Sequence, residues 1–216
     1  MPLKKSRLWI NLRSRLHQHY VGLLARELKG CRDALDLGCG AEPFLGECDS
    51  IENVIGVDGS YNSCRSARRA NKYGSVVQAV LPDLPFKERS VDAVTLLQVV
   101  EHLPKDVASD LILKAERLAR RKIIITTPNG FVRQEVYDEN PFQEHLSGWS
   151  IEDLQQRGYT VWGMEGPKAA RRKESAEVLS PQRLLSVLIS FGICEAYFQN
   201  RPQHAFQLLA VKTVGE

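Results

Sequence analysis

The stretch Ala34-Leu35-Asp36-Leu37-Gly38-Cys39-Gly40, answered by Val54-Ile55-Gly56-Val57-Asp58, decides how this chain folds. A short apolar run ends in an acid and a Gly-x-Gly turn. A second apolar run ends in another acid about twenty residues later, the spacing of a ribose-binding carboxylate in a βαβ nucleotide site. Glycines after a strand let the backbone turn sharply and let a ligand approach where a Cβ would collide, which is the part expected of Gly38 and Gly40. Asp58, at the end of the next strand, can accept both hydroxyls of a ribose. The bland alternative is a tight strand-to-helix turn followed by an Asp that caps a helix, and the two pieces in this order argue against it.

What is missing narrows the nucleotide. A dinucleotide fingerprint needs a third small residue so that the helix packs closely and points its N-terminus at a pyrophosphate. Pro43 stands at that position, in Ala41-Glu42-Pro43-Phe44, so NAD and FAD fit poorly. A phosphate-binding P-loop needs Lys-Ser or Lys-Thr after its last glycine, whereas Gly40 is followed by Ala41-Glu42. Asp36, just before the glycines, would repel an anion and suits an ammonium or sulfonium-bearing ligand.

At this point the sequence resembles the class I S-adenosylmethionine-dependent methyltransferases, in particular the small-molecule, type 11-like branch with a Leu-Pro-Phe signature. Asp36-Leu37-Gly38-Cys39-Gly40 is similar to the first motif of that family, and Gly56-Val57-Asp58-Gly59-Ser60 to its second. Leu84-Pro85-Phe86, Ser90-Val91-Asp92-Ala93-Val94 and Val99-Val100-Glu101-His102-Leu103 follow in the family's order. The resemblance implies a Rossmann-like α/β fold with a seven-stranded, mostly parallel sheet, helices on both faces and an antiparallel last strand. It implies S-adenosylmethionine as cofactor and S-adenosylhomocysteine as product. It also implies a cofactor site drawn from Asp36, Gly38, Cys39, Gly40, Asp58, Gly59, Ser60, Val80, Leu81 and Gln98. The family often has an acid that meets the adenine amino group, and Val80 stands about where that acid would be. Adenine is then expected to be held by backbone groups and by apolar contact with Val80 and Leu81.

Hydrophobic periodicity lays out the elements. Leu8, Leu12, Leu16, Leu23, Leu24 and Leu28 predict an amphipathic helix over 5–28, and family resemblance makes such a helix a cover for the cleft. Strands are expected at 33–37, 53–57, 75–80, 91–97, 122–126, 159–163 and 205–213, with helices at 62–72, 105–119 and 150–157. Alternating β and α units predict a parallel sheet whose ligands bind beyond the carboxyl ends of the strands, where Gly38, Asp58, Gln98 and Pro128 should converge. The expected organisation is a helix over 1–30, then a cofactor-binding domain over 31–216 that carries a substrate-specificity insertion at 166–203, with an apolar helix at 181–191.

Methyl transfer needs mainly alignment of nucleophile, methyl carbon and sulfonium, and a hydroxyl acceptor also needs a base. His102 follows the fourth strand; His145 lies in Asn140-Pro141-Phe142-Gln143-Glu144-His145-Leu146-Ser147-Gly148-Trp149. These two are the candidate catalytic residues, against a reading of His102 as a loop histidine that orders the turn with Glu101. Asn129 and Trp149 are further candidates for the lining of the acceptor pocket, against a reading of Asn129, before a glycine, as turn chemistry and of Trp149 as a packing residue ahead of a helix capped by Ser150. The acceptor class is an oxygen or nitrogen of a small molecule or of a carrier-, lipid- or glycan-linked one. The alternative is a catalytically silent cofactor-binding partner subunit.

Composition bounds the rest. At 216 residues and 43% apolar, the chain can bury one sizeable core. No apolar run is long enough to cross a bilayer and the N-terminus lacks an apolar signal core, so the expected compartment is the cytoplasm. Five cysteines show no paired metal-ligand spacing and no disulfide framework, so reduced thiols and no metal are expected. The net charge of +3 is mild but unevenly spread, with Lys4, Lys5, Arg7, Arg13 and Arg15 at one end and Lys168, Arg171, Arg172 and Lys173 in a second run. Such runs are solvated faces or contacts to an anionic substrate, a membrane surface or RNA. RNA is the weakest of these, because no recognised RNA-binding module accompanies the charges.

Overall fold

The computed structural model describes residues 7–134, 136, 140–168, 171–172, 175–178 and 195–215, with side chains of the first helix from His17 onward. Helix α1 spans Arg7–Glu27, and β1 (Asp33–Leu37), β2 (Asn53–Asp58), α2 (Tyr61–Ala70) and β3 (Ser75–Gln78) follow. Next come β4 (Val91–Leu97), α3 (Lys105–Leu118), β5 (Ala119–Pro128), α4 (Ile151–Gln155) and β6 (Thr160–Pro167). A two-stranded ribbon, β7 (Arg171–Arg172) with β8 (Ser175–Val178), precedes a short helix, α5 (Glu195–Gln199), and β9 (Ala205–Thr213) ends the fold.

Seven strands form one sheet in the order β3-β2-β1-β4-β5-β9-β6. The pairs among β1 to β5 are parallel, and β9 runs antiparallel between β5 and β6. This is the Rossmann-like arrangement expected from the sequence, with the chain's last strand antiparallel. β4 is buried along nearly its whole length, as a central parallel strand covered on both faces must be. One face is packed by α3 and α4, through Leu111, Ile112, Ala115, Leu118 and Leu154. The other is packed by α1 and α2, through Leu23, Leu24 and Ala67, with Leu28 just after α1.

Two polar arrangements fix the ends of the sheet. At the amino ends, Arg120 donates to both oxygens of Asp33 at 2.9 and 3.0 Å and to Asp92 at 2.9 Å, tying β5 to β1 and β4. Nη2 serves both Asp33 oxygens and Nε serves Asp92, so one guanidinium bridges two strand-end acids through charge-assisted bonds. At the carboxyl ends, the Tyr20 hydroxyl of α1 meets Thr126 Oγ1 at 3.0 Å, and its ring packs edge-on against Phe44 at 5.7 Å. His17 Nε2 lies 2.6 Å from Glu47. α1 therefore leans on the segment that follows the glycine turn.

Several boundaries differ from expectation. β3 stops at Gln78; the Ala79 N–H to Asp58 O is the last bond with β2, and the chain then turns, with Asp83 N donating to Val80 O. β5 and β6 run longer than expected, because β9 pairs with both along most of its length. α4 stops at Gln155, and Gly158, at φ +84°, carries the chain out of the turn that follows. The helix expected at 181–191 lies outside the described residues, as do Lys4, Lys5 and Lys173.

Candidate active site at the carboxyl ends of the strands

The glycine turn hangs from β2. The N–H groups of Gly38 and Cys39 both donate to Val57 O, at 2.7 and 2.9 Å. Gly38 has φ +71°, and a Cβ there would sit 2.5 Å from Val99 Cγ2, so its lack of a side chain answers both conformation and space. Gly40 has φ +62°, yet a Cβ there would meet nothing within 4 Å, so the turn opens on this side into free space.

Asp58 stands beside that opening. Its carboxylate accepts the Gly40 N–H at 2.9 Å on one oxygen and the Ser60 N–H at 2.8 Å on the other. Each oxygen keeps further lone-pair capacity, which is what two ribose hydroxyls need. Burial pushes the Asp58 carboxyl above its ordinary value, and the two N–H groups oppose that shift. The Ser60 hydroxyl accepts from Ser63 N at 3.3 Å and so caps α2, while its N–H serves Asp58.

The other expected site residues are placed differently. Asp36 is 2% exposed and points beneath the turn, where Tyr73 OH donates to one oxygen at 2.5 Å and Thr95 Oγ1 to the other at 2.6 Å. Burial pushes its carboxyl up to about 6 against those two bonds. Cys39 is buried under the turn, with Sγ near Gly56. Val80 is 56% exposed at the edge where adenine is expected, and Leu81 packs partly into the core beside it. Gln98 follows β4 at φ +58°, and its N–H donates to Thr126 O at 2.9 Å. Gly59 lies under Phe142, whose ring would come within 3.0 Å of a Cβ there, so the segment after β5 reaches across to the ribose side.

That segment also carries His145 to His102. The two rings lie 4.7 Å apart, nearly edge to face. His102 Nδ1 lies 3.0 Å from Glu144 O, and His145 Nδ1 lies 2.6 Å from Val132 O. A carbonyl can only accept, so both rings carry their proton on Nδ1 and leave Nε2 as the lone-pair nitrogen. Burial holds His102 down at about 4 and also lowers His145, so both are neutral at pH 7. Backbone bonds lock the segment in place: Leu146 N and Ser147 N donate to Glu101 O at 2.8 and 3.0 Å. Ser147 Oγ and Trp149 Nε1 donate to Val100 O at 3.1 and 3.3 Å.

Sequence reading missed Glu101 as a site residue. It is 2% exposed, burial raises its carboxyl to about 8, and its Oε2 is buried with no hydrogen-bond partner. Its place beside His102 was the available signal, but only packing shows that the carboxylate turns inward. Asn129 and Trp149 do structural work. The Asn129 amide donates to Pro202 O and Ala205 O, both at 2.9 Å, and Trp149 is fully buried ahead of the Ser150 capping box.

A family model described as a methyltransferase domain matches residues 35–124, which span β1 through the middle of β5. No curated protein matches the sequence. Among solved structures, the methyltransferase domain of a bacterial CtHen1 superposes with a TM-score of 0.59 at 20% identity, covering 93% of this chain and all of that one. A SAM-dependent methyltransferase from Archaeoglobus fulgidus gives 0.56 at 20% identity over 95% of this chain and 99% of its own. A SAM-dependent methyltransferase from Thermotoga maritima, described as a possible histamine N-methyltransferase, gives 0.62 at 15% identity over 96% and 93%. These likenesses speak for the fold; the domain match speaks for the chemistry.

An open glycine turn, a strand-end acid beside it and the matched domain define an S-adenosylmethionine-dependent methyltransferase. Over residues 35–124 the chain is similar to the type 11 branch of the class I enzymes.

Proposed function

We propose that this methyltransferase acts on an oxygen or nitrogen of a small-molecule or carrier- or glycan-linked acceptor, with the nucleophilic atom seated against His102 and His145. The observation that carries the reading is the pairing of two neutral imidazoles, 4.7 Å apart, each held by Nδ1 so that Nε2 bears a lone pair. Their turn is built on Val99, whose side chain touches Gly38, so the imidazoles lie next to the cofactor turn.

Bound S-adenosylmethionine supplies a methyl group on a sulfonium, a leaving group that needs no protonation. In this reading Asp58 takes the ribose hydroxyls, and the free space over Gly40 admits the amino-acid portion. Val80 and Leu81 offer an apolar edge to adenine, and Cys39 only keeps the turn small. Gln98 holds the end of β4 against β5, while α1 and the segment 140–149 close the site on opposite sides. Alignment then supplies most of the acceleration. The insertion at 166–203, with Arg171 and Arg172 on β7, selects the acceptor and suits an anionic one, whether phosphorylated, acidic or at a membrane surface.

The test separates the two halves of the site. His145→Ala should keep cofactor affinity by calorimetry and lose transfer across an acceptor panel by at least about a hundredfold, the scale of general acid–base assistance. Retained transfer would take His145 out of the acceptor site. A second reading, a silent cofactor-binding subunit, draws support from Val80 standing where an adenine-binding acid is usual. It predicts cofactor binding with no transfer to any acceptor by the wild-type chain.

A further inference from the structure

We propose that Glu101, His102 and His145 form a binding site for a divalent first-row transition-metal cation at the acceptor end of the active site. This deepens the function proposed above and rests on it. One ligand atom from each of the three residues can be chosen so that all lie within 4.8 Å of one another. Donors that share an ion at about 2.1 Å stand about 3 to 3.5 Å apart, so closure by about an ångström is enough.

The surroundings are those of a built site. Each imidazole is oriented from behind by a backbone carbonyl on Nδ1, the usual way of aiming a metal-ligating Nε2. The Glu101 carboxylate is held from behind as well. With its amide turned to satisfy both ends, Gln98 donates to Glu101 Oε1 at 3.2 Å and accepts from Thr127 N at 3.3 Å. That leaves Oε2, buried and without a partner, as the atom free to meet a cation. A buried acceptor with no donor is a costly thing to keep, and an ion would satisfy it. The two segments that supply the ligands are stapled together by the bonds from Leu146 N and Ser147 N to Glu101 O.

Donor chemistry sets the cation class. Two imidazoles and one carboxylate suit manganese, iron, cobalt or zinc better than magnesium or calcium, which prefer all-oxygen shells. Three protein ligands leave positions open for an acceptor oxygen. A hydroxyl coordinated there would release its proton to water, because a bound cation lowers the pKa of a coordinated O–H. Its oxygen lone pair then forms the bond to the methyl carbon while the carbon–sulfur bond breaks and its electron pair stays on sulfur.

The experiment is equilibrium dialysis of the full chain, stripped with a chelator, against Mn²⁺ and then Zn²⁺ alone. One ion per chain is expected for the wild type. Removing an outer partner of a metal ligand costs 10- to 100-fold in affinity, so losing a ligand should cost about 100-fold or more in Glu101→Gln, His102→Ala and His145→Ala. S-adenosylmethionine binding by calorimetry shows that each variant is folded. A wild type that binds no ion, or an affinity unchanged in both Glu101→Gln and His145→Ala, overturns the site. Transfer that runs undiminished in chelator overturns the cation's part in the reaction and leaves the proposed acceptor site standing. Failure to bind S-adenosylmethionine would instead strike the methyltransferase reading itself.

Discussion

Asp36 and Asp58 close neighbouring strands of the same sheet, and the structure gives them opposite surroundings. Asp58 faces the open side of the glycine turn with acceptor capacity to spare, whereas both Asp36 oxygens are already met by Tyr73 and Thr95. Asp58→Ala should therefore weaken S-adenosylmethionine by about 1.5–3 kcal/mol, the range for hydrogen bonds to a charged group, as read by calorimetry. Asp36 should show itself in stability. Its folded-state value of about 6 lies above the ordinary 3.8, so the folded chain binds this proton more tightly than the unfolded one. The stabilising contribution is complete below about pH 4 and is lost as pH rises through about 6, amounting to about 3 kcal/mol. Urea unfolding of wild type against Asp36→Asn should diverge in that direction between pH 4 and 7. Parallel curves would place the Asp36 proton elsewhere. The sequence pointed to Asp58 because a strand-end acid after a glycine turn has a recognised use. It could not separate Asp36 from a ligand-facing acid, because Tyr73 reaches it from 37 positions away.

The glycine turn is the element on which the site depends, and its two left-handed glycines answer different demands. Gly38→Ala should destabilise the fold by about 2–4 kcal/mol, from backbone strain together with the overlap on Val99. Val99→Ala in the same chain should recover part of that loss in thermal unfolding, since the two changes share a contact. Gly40→Ala carries only the strain of its φ, about 1 kcal/mol, but fills the side expected to receive the cofactor, so its main effect should be on cofactor affinity. Both glycines were legible, because a Gly-x-Gly after an apolar run has few other uses. Likewise α4 announced itself through Ser150, whose capping box with Asp153 is present, and Ser150→Ala should cost about 1 kcal/mol of stability. The ends of β3, β5 and β6 were less legible. β9 pairs with both β5 and β6, and pairing partners set strand length where local propensity does not.

Across the whole molecule, the sheet order brings Gly38, Asp58 and Gln98 to one end, and the segment after β5 returns His145 there beside His102. Periodicity and motif order carried the fold, since buried parallel strands and amphipathic helices leave a strong pattern. His102 and His145 were legible as candidates, but their pairing and the inward turn of Glu101 were not. Glu101 and His145 come together because backbone bonds tie the segment 144–149 to the turn 99–102, while Phe142 reaches Gly59. No helix of the described residues is long and apolar enough to cross a membrane. α1 leans on the segment after the glycine turn through His17 and Tyr20, so ligand binding beneath it should tighten the whole fold. At 100 times its dissociation constant, S-adenosylmethionine should add about 2.7 kcal/mol to stability.

Calorimetric titration of S-adenosylmethionine into wild type and Asp58→Ala tests the central claim most directly. The account predicts one-to-one binding of S-adenosylmethionine and of S-adenosylhomocysteine to the wild type, weakened about tenfold or more in the variant. Absence of binding by either compound, or equal affinity in the two proteins, would contradict it.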